Sequence, residues 1–214
     1  ASFPPPHHNI ARAIAQCCDV VVENWRPGTA DRLGLGYEDL KALKPDLVYC
    51  SISGFGQSGP QSRRPAYAPI IHAASGFDLA QMEYQDAEKP QNTATYTADV
   101  FGGMSAFAAI QSALFRRERT GKGQYLDVAL LDGMLNILVG ECQEWQAPSK
   151  AKSRVYPPLR TQDGFVVIAP TSQKNFEALC AVMGKNMWLT DPKFVSTVAR
   201  EHHWSELMQL IELW

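Results

Sequence analysis

Apolar residues along the chain fall into two kinds of run. Three are short and rich in β-branched residues: "DVVVENW" at 19–25, "DLVYCSISGFG" at 46–56 and "YLDVALL" at 125–131. Consecutive apolar positions of this kind predict strands buried on both faces, as in a parallel sheet. The other runs repeat at helical spacing. "IARAIAQC" at 10–17 follows Asn9, a good N-cap. Residues 26–45 read as a loop and then a helix ending before Pro45. "IIHAASGF" predicts a short buried helix, and the polar stretch 78–98 a surface excursion. A long apolar helix is expected over about 100–118, then a turn at "TGKGQ" before the third strand and a helix to about 145. Strand, helix and strand in this order suggest right-handed βαβ units.

The pattern changes at 146–164, a polar stretch with prolines that reads as a linker. Beyond it, "FVVIAP" predicts a strand, "SQKNFEALCAVMG" a helix closed by Gly184, and "WSELMQLIELW" an amphipathic helix. The expected fold is α/β: a Rossmann-like parallel sheet flanked by helices over 1–145, then a linker and part of a small α+β domain over 146–214.

Composition narrows the function. The 214 residues are 45% hydrophobic and 20% charged, with a net charge of −2, so no basic surplus points to nucleic acid. No run of about 18 apolar residues is seen, so no membrane span is expected. The N-terminus lacks the basic and apolar blocks of a secretory signal. Five irregularly spaced cysteines give no zinc pattern and read as buried free thiols in a reducing compartment. No metal site is expected. The location implied is cytoplasmic, with mitochondria or peroxisomes open for a eukaryotic source.

Several stretches are candidates for chemistry. Asp99 precedes the long helix, where an acidic residue is most often a cap. Against that stand Gly102 and Gly103, which weaken the first turn and permit close approach of a ligand. A carboxylate at the positive end of a helix also suits a nucleophile, with helix amides facing its oxyanion. Asn24 and Trp25 end the first strand, on the edge where open α/β sheets bind ligands. Trp25 suits stacking on a planar ring, and Arg26 and Arg32 suit phosphates; solvated loop arginines and a core-covering tryptophan are the competing reading. "SGFGQSGPQSRRPAY" places Arg63 and Arg64 on the same edge. No P-loop, GxGxxG or GxSxG motif occurs.

Taken together, "DVVVENWRPGTADRLGLGYEDLKALKPDLVYCSISGFGQSGP", "ADVFGGMSAFAAIQSALFRRERTGKGQYLDVALLD" and, more weakly, "YPPLRTQDGFVVIAP" resemble the family III CoA-transferases. This group includes formyl-CoA transferase, carnitine CoA-transferase and α-methylacyl-CoA racemase. The resemblance covers about residues 10–190. It implies that Asp99 is the catalytic aspartate, attacking the acyl-CoA thioester and carrying a covalent intermediate. It implies Asn24 and Trp25 near the CoA adenine, Arg32 on its phosphates, Arg64 close to a basic CoA contact, Leu130 on an apolar wall and Tyr67 beside the acyl group. Gly102 and Gly103 amides would then help the oxyanion. The substrates implied are a CoA thioester and a carboxylic acid acceptor, with no tightly bound cofactor, in an interlocked homodimer. Racemases of this group carry His-Asp where this chain has Tyr67-Ala68, so a transferase is expected. A 2-methylacyl-CoA racemase and a silent CoA-binding or dimerising fragment are the alternatives. The family's first strand–helix unit, its returning C-terminal segment and its glycine-rich loop have no counterpart here, so the chain reads as a central piece of a longer protein.

Overall fold

A computed structural model describes residues 5–85, 87–90, 95–148 and 156–214. The chain divides into two compact units, residues 1–145 and 146–214.

The first unit is built on a parallel three-stranded sheet in the order β1 (Val20–Glu23), β2 (Val48–Ser53), β3 (Gln124–Ala129). Val20 pairs with Val48 and Val48 with Gln124, so the strands start level; Glu23 ends β1 beside Ser51, and β2 and β3 run two residues further, to the pair Ser53 and Ala129. Central β2 is buried on both faces, which is why Val48, Tyr49, Cys50 and Ile52 do not alternate with exposed polar residues and its two polar positions, Ser51 and Ser53, are buried as well. On one face Cys50 and Val128 pack on Ala106 of the long helix α6 (Thr97–Thr120). On the other, Tyr49 and Leu47 pack with Leu40 of α3 (Tyr37–Lys41) and Ala15 of α1 (Pro5–Cys17). Between β1 and β2 also lies α2 (Thr29–Arg32). Between β2 and α6 lie α4 (Ala68–Ser75) and α5 (Phe77–Tyr84). After β3 the chain turns directly into α7 (Leu130–Ile137) and α8 (Val139–Gln146).

Local details depart from the pattern reading. Helix α1 starts at Pro5, so Asn9 lies inside it; proline is tolerated in a first turn because its missing N–H would have no partner there. The 26–45 segment holds two short helices, not one. The polar stretch 78–98 is helical through Tyr84, and its residues 86 and 91–94 lie outside the described ones. Cys50 and Cys180 are buried free thiols, but Cys17 is exposed and Cys18 and Cys142 are half-buried. Burial pushes the Cys50 thiol up to about 11. Helix α6 is also long and apolar enough to cross a membrane by length and composition, which the count of consecutive apolar residues missed. It packs against β2, β3, α4 and α7.

The second unit carries a two-residue antiparallel ladder, β4 (Leu159–Arg160) with β5 (Phe165–Val166). The "FVVIAP" strand is therefore only two residues long. The predicted linker falls partly on 149–155, outside the described residues. Helix α9 (Gln173–Met183) is capped by Ser172, whose Oγ accepts from the Asn175 N–H, and closes on Gly184. Helices α10 (Thr197–His202) and α11 (Trp204–Glu212) complete a core of Phe176, Trp188, Phe194, Trp204 and Leu207. Arg200 is 1% exposed within it. Its guanidinium donates to Phe194 O and Gln173 Oε1 and lies over the Phe176 ring, the satisfaction a buried charge requires.

Candidate active site

The three strand ends and the start of α6 surround a cleft of about 360 Å³. From the β1 end come Asn24, Trp25 and Arg26. The Asn24 amide Nδ2 donates to Ile52 O at 2.8 Å, and the Trp25 N–H donates to the Glu23 carboxylate at 2.7 Å. The loop is thus pinned to the sheet edge, and the Trp25 side chain is left 42% exposed. Asn24 spends an amide hydrogen on this anchor, so its expected role toward adenine is left chiefly to Oδ1.

From the β2 end come Ser53, Gly54 and the returning segment with Ser62, Arg64 and Tyr67. A Cβ at Gly54 would overlap that of Ala66, so glycine is what lets residues 64–67 lie against the strand end. The Gln57 N–H donates to both oxygens of Asp127, tying this loop to β3. Arg64 reaches Gln61 Oε1 at 3.3 Å and lies over the Phe55 ring. Tyr67 precedes α4 and is 73% exposed.

Asp99 is not the N-cap. That position is Tyr96, which makes no side-chain cap, and α6 begins at Thr97. The capping is done from outside: the buried His72 of α4 accepts the Ala98 N–H on Nε2 at 3.1 Å. Asp99 therefore sits in the first turn with its side chain exposed and no hydrogen bond or ion pair among the described residues. It keeps the favourable field of the helix N-terminus without being consumed as a cap.

The same shift moves the glycines. Gly102 and Gly103 lie in the second turn, where i→i−4 bonding engages their N–H groups. They are not the free oxyanion donors expected of them. Gly102 instead makes room: a Cβ there would overlap Leu130 Cδ2, and Leu130 is 6% exposed on the cleft wall. Gly103 is exposed and a Cβ there would meet nothing within 4 Å. Arg32 does not line the cleft; its guanidinium bonds Thr29 Oγ1 on α2 at 2.9 Å. Arg26 takes the place on the cleft. The cleft thus gathers Asn24, Trp25, Arg64, Tyr67, Asp99 and Leu130, and adds Arg26 and Ser53. The one signal for Ser53 in the sequence is its place at a strand's carboxyl end. Among the described residues, no group of three or more His, Cys, Asp or Glu side chains is placed to hold a metal ion.

A parallel sheet with an uncommitted carboxylate and two arginines at its carboxyl edge defines an α/β domain of the open-sheet ligand-binding class. The chain belongs to CoA-transferase family III, whose family model matches residues 5–214. Among its relatives, an acetyl-CoA:oxalate CoA-transferase of Acetobacter aceti is 41% identical over 186 residues, 83% of this chain and 48% of that protein. A human succinyl-CoA:glutarate CoA-transferase is 31% identical over 97% of this chain and 49% of its own length. Among solved structures, a CAIB/BAIF family protein from Brucella suis is 34% identical with a TM-score of 0.77, covering 98% of this chain and 57% of that one. The chain spans about half the length of the curated relatives it matches.

Proposed function

We propose that this chain carries the nucleophile and part of the CoA site of an enzyme that moves CoA between an acyl-CoA and a carboxylic acid. An Asp99 oxygen attacks the thioester carbonyl, the C–S bond breaks, and CoA thiolate leaves a mixed anhydride. The thiolate attacks the aspartyl carbonyl of that anhydride, releasing the donor acid and leaving aspartyl-CoA. The acceptor carboxylate attacks this thioester and expels CoA thiolate. The thiolate then attacks the acceptor's acyl carbon, giving the new acyl-CoA and free Asp99. Each intermediate is an activated acyl group, so CoA moves without further activation.

The observation that carries this reading is the position of Asp99: a carboxylate without a partner among the described residues, at a helix N-terminus, on one cleft with Asn24, Trp25, Arg64 and Tyr67. Tyr67-Ala68 offers no general base for proton transfer at an α-carbon, which favours transfer over racemisation. The relatives named above are named for oxalate and glutarate. With Arg26 and Arg64 on the cleft, a short dicarboxylic acid is the acceptor class that fits. A homodimer and a cytoplasmic location belong to the same proposal.

The test is mass spectrometry of the chain incubated with a panel of acyl-CoAs. A covalent adduct confined to the Asp99 peptide, absent in Asp99→Ala, is the expected result. Transfer that survives Asp99→Ala, an adduct elsewhere, no adduct at all, or deuterium exchange at the α-carbon without an acceptor acid overturns it.

A further inference from the structure

Ser53, the last residue of β2, is 5% exposed, and its Oγ is buried with no hydrogen-bond partner among the described residues. Other serines nearby are satisfied internally: Ser62 Oγ donates to Gly59 O, Ser75 Oγ to His72 O, and Ser51 bonds the Tyr125 hydroxyl. Ser53 itself lines the Asp99 cleft with Gly54 and Leu130. A buried hydroxyl without a partner is unfavourable, and alanine would fill a strand position without that penalty. The arrangement makes sense where an incoming group supplies the missing acceptor, at the sheet edge where ligands bind.

The acyl transfer proposed above creates such an acceptor. As Asp99 attacks, the carbonyl π electrons move onto the acyl oxygen, which needs a donor. The Gly102 and Gly103 amides are engaged within α6 and do not serve. We infer that the Ser53 hydroxyl donates a hydrogen bond to the acyl oxygen of the thioester and strengthens it in the tetrahedral adduct, making Ser53 a catalytic residue of the first acyl transfer. The proton stays on Ser53; the electron pair returns to carbon when the C–S bond breaks and CoA thiolate departs. A donor in this buried position acts in a low-dielectric setting, where it is worth more than in water.

This inference rests on the Asp99 reading, so the experiment separates the two. The full chain and its Ser53→Ala, Ser53→Thr, Ser53→Cys and Asp99→Ala variants are mixed with acyl-CoA. Adduct formation is followed in single turnover, and acyl-CoA affinity and melting temperature are measured alongside. Ser53→Ala is expected to slow adduct formation by about 100-fold, the usual effect of removing one oxyanion donor. Affinity should stay within about two-fold, by the rule that a loss felt only in the transition state leaves substrate binding unchanged. Its melting temperature should not fall, because no internal bond is lost. Ser53→Thr, which keeps the hydroxyl, should recover most of the rate, and Ser53→Cys, which keeps the volume with a weak donor, should not. An unchanged rate in Ser53→Ala, or rate and affinity falling together, overturns the role of Ser53 while leaving Asp99 in place. A lower melting temperature with unchanged kinetics assigns Ser53 to structure and also overturns it. If Asp99→Ala still forms the adduct, the underlying reading fails whatever Ser53 does.

Discussion

Replacing His72 by phenylalanine isolates the hydrogen bond that starts α6. The imidazole is 2% exposed, lies 5.2 Å centre to centre from the Phe77 ring, and accepts the Ala98 N–H at 3.1 Å. Phenylalanine keeps a ring against Phe77 but removes the acceptor. Ala98 is 0% exposed, so its N–H is left buried with no partner, at a cost of about 1–3 kcal/mol. Tyr96 offers no side-chain cap to compensate. At about 2 kcal/mol the folded-to-unfolded ratio falls roughly 30-fold, at about 1.4 kcal/mol for each tenfold change. With a urea dependence of about 1–3 kcal/mol per molar, the unfolding midpoint should drop by about 1 M in circular dichroism. His72→Gln, which restores an acceptor, should recover part of the loss. Covalent capture at Asp99 should slow in His72→Phe, because Asp99 is the next residue of the same turn. A His72→Phe midpoint matching the original protein, with a difference under about 0.5 kcal/mol, the range of neutral surface changes, refutes the view that His72 holds the helix start.

Two glycines one residue apart should respond in opposite directions. Gly102→Ala overlaps Leu130 and should lower stability by about 1–3 kcal/mol, the usual cost of overpacking, whereas Gly103→Ala meets open space and should raise it by about 0.5–1 kcal/mol; thermal melts of both variants check this. The protein should also lose stability in alkali. The Glu141 carboxylate that accepts its hydroxyl, together with burial, pushes Tyr84 up to about 12, and burial raises Tyr49 and Tyr125. The folded values lie above the unfolded ones, so the contribution is complete below a pH of about 10 and is lost as pH rises through the folded values. Urea titrations between pH 8 and 11.5 should show this decline, reduced in Tyr84→Phe; a flat profile contradicts it.

The strands were legible because β-branched, aromatic and aliphatic residues cluster in 20–23, 48–53 and 124–129, interrupted only by Glu23, Ser51, Ser53, Gln124 and Asp127. The carboxyl edge followed from that order alone, which put Asn24, Trp25 and Arg64 on one side before any atom was placed. What the sequence concealed is tertiary. Asp before a helix reads as a cap, yet the cap is a histidine 26 residues upstream, brought over by α4. Gly102 reads as a ligand approach, yet its missing Cβ admits Leu130, the first residue of α7. Arg32 and Arg26 are indistinguishable as loop arginines until Arg32 turns back to Thr29. Ser53 carries no motif; only its burial and its empty hydrogen-bonding capacity mark it.

The end of β2 is where the first unit's long connections meet. Ile52 O holds the Asn24 amide, Gly54 O accepts the Leu131 N–H, and the Gln57 N–H is held by Asp127. Segments far apart in the chain thus share one anchor: the first bond spans β1 and β2 and the other two span β2 and β3, so each is lost when its own pairing parts. The cleft floor is therefore expected to open with the sheet rather than piece by piece, and slow exchange of the Leu131 amide would show it. The floor is then as durable as the sheet, while Trp25 and Tyr67 stand exposed at the mouth.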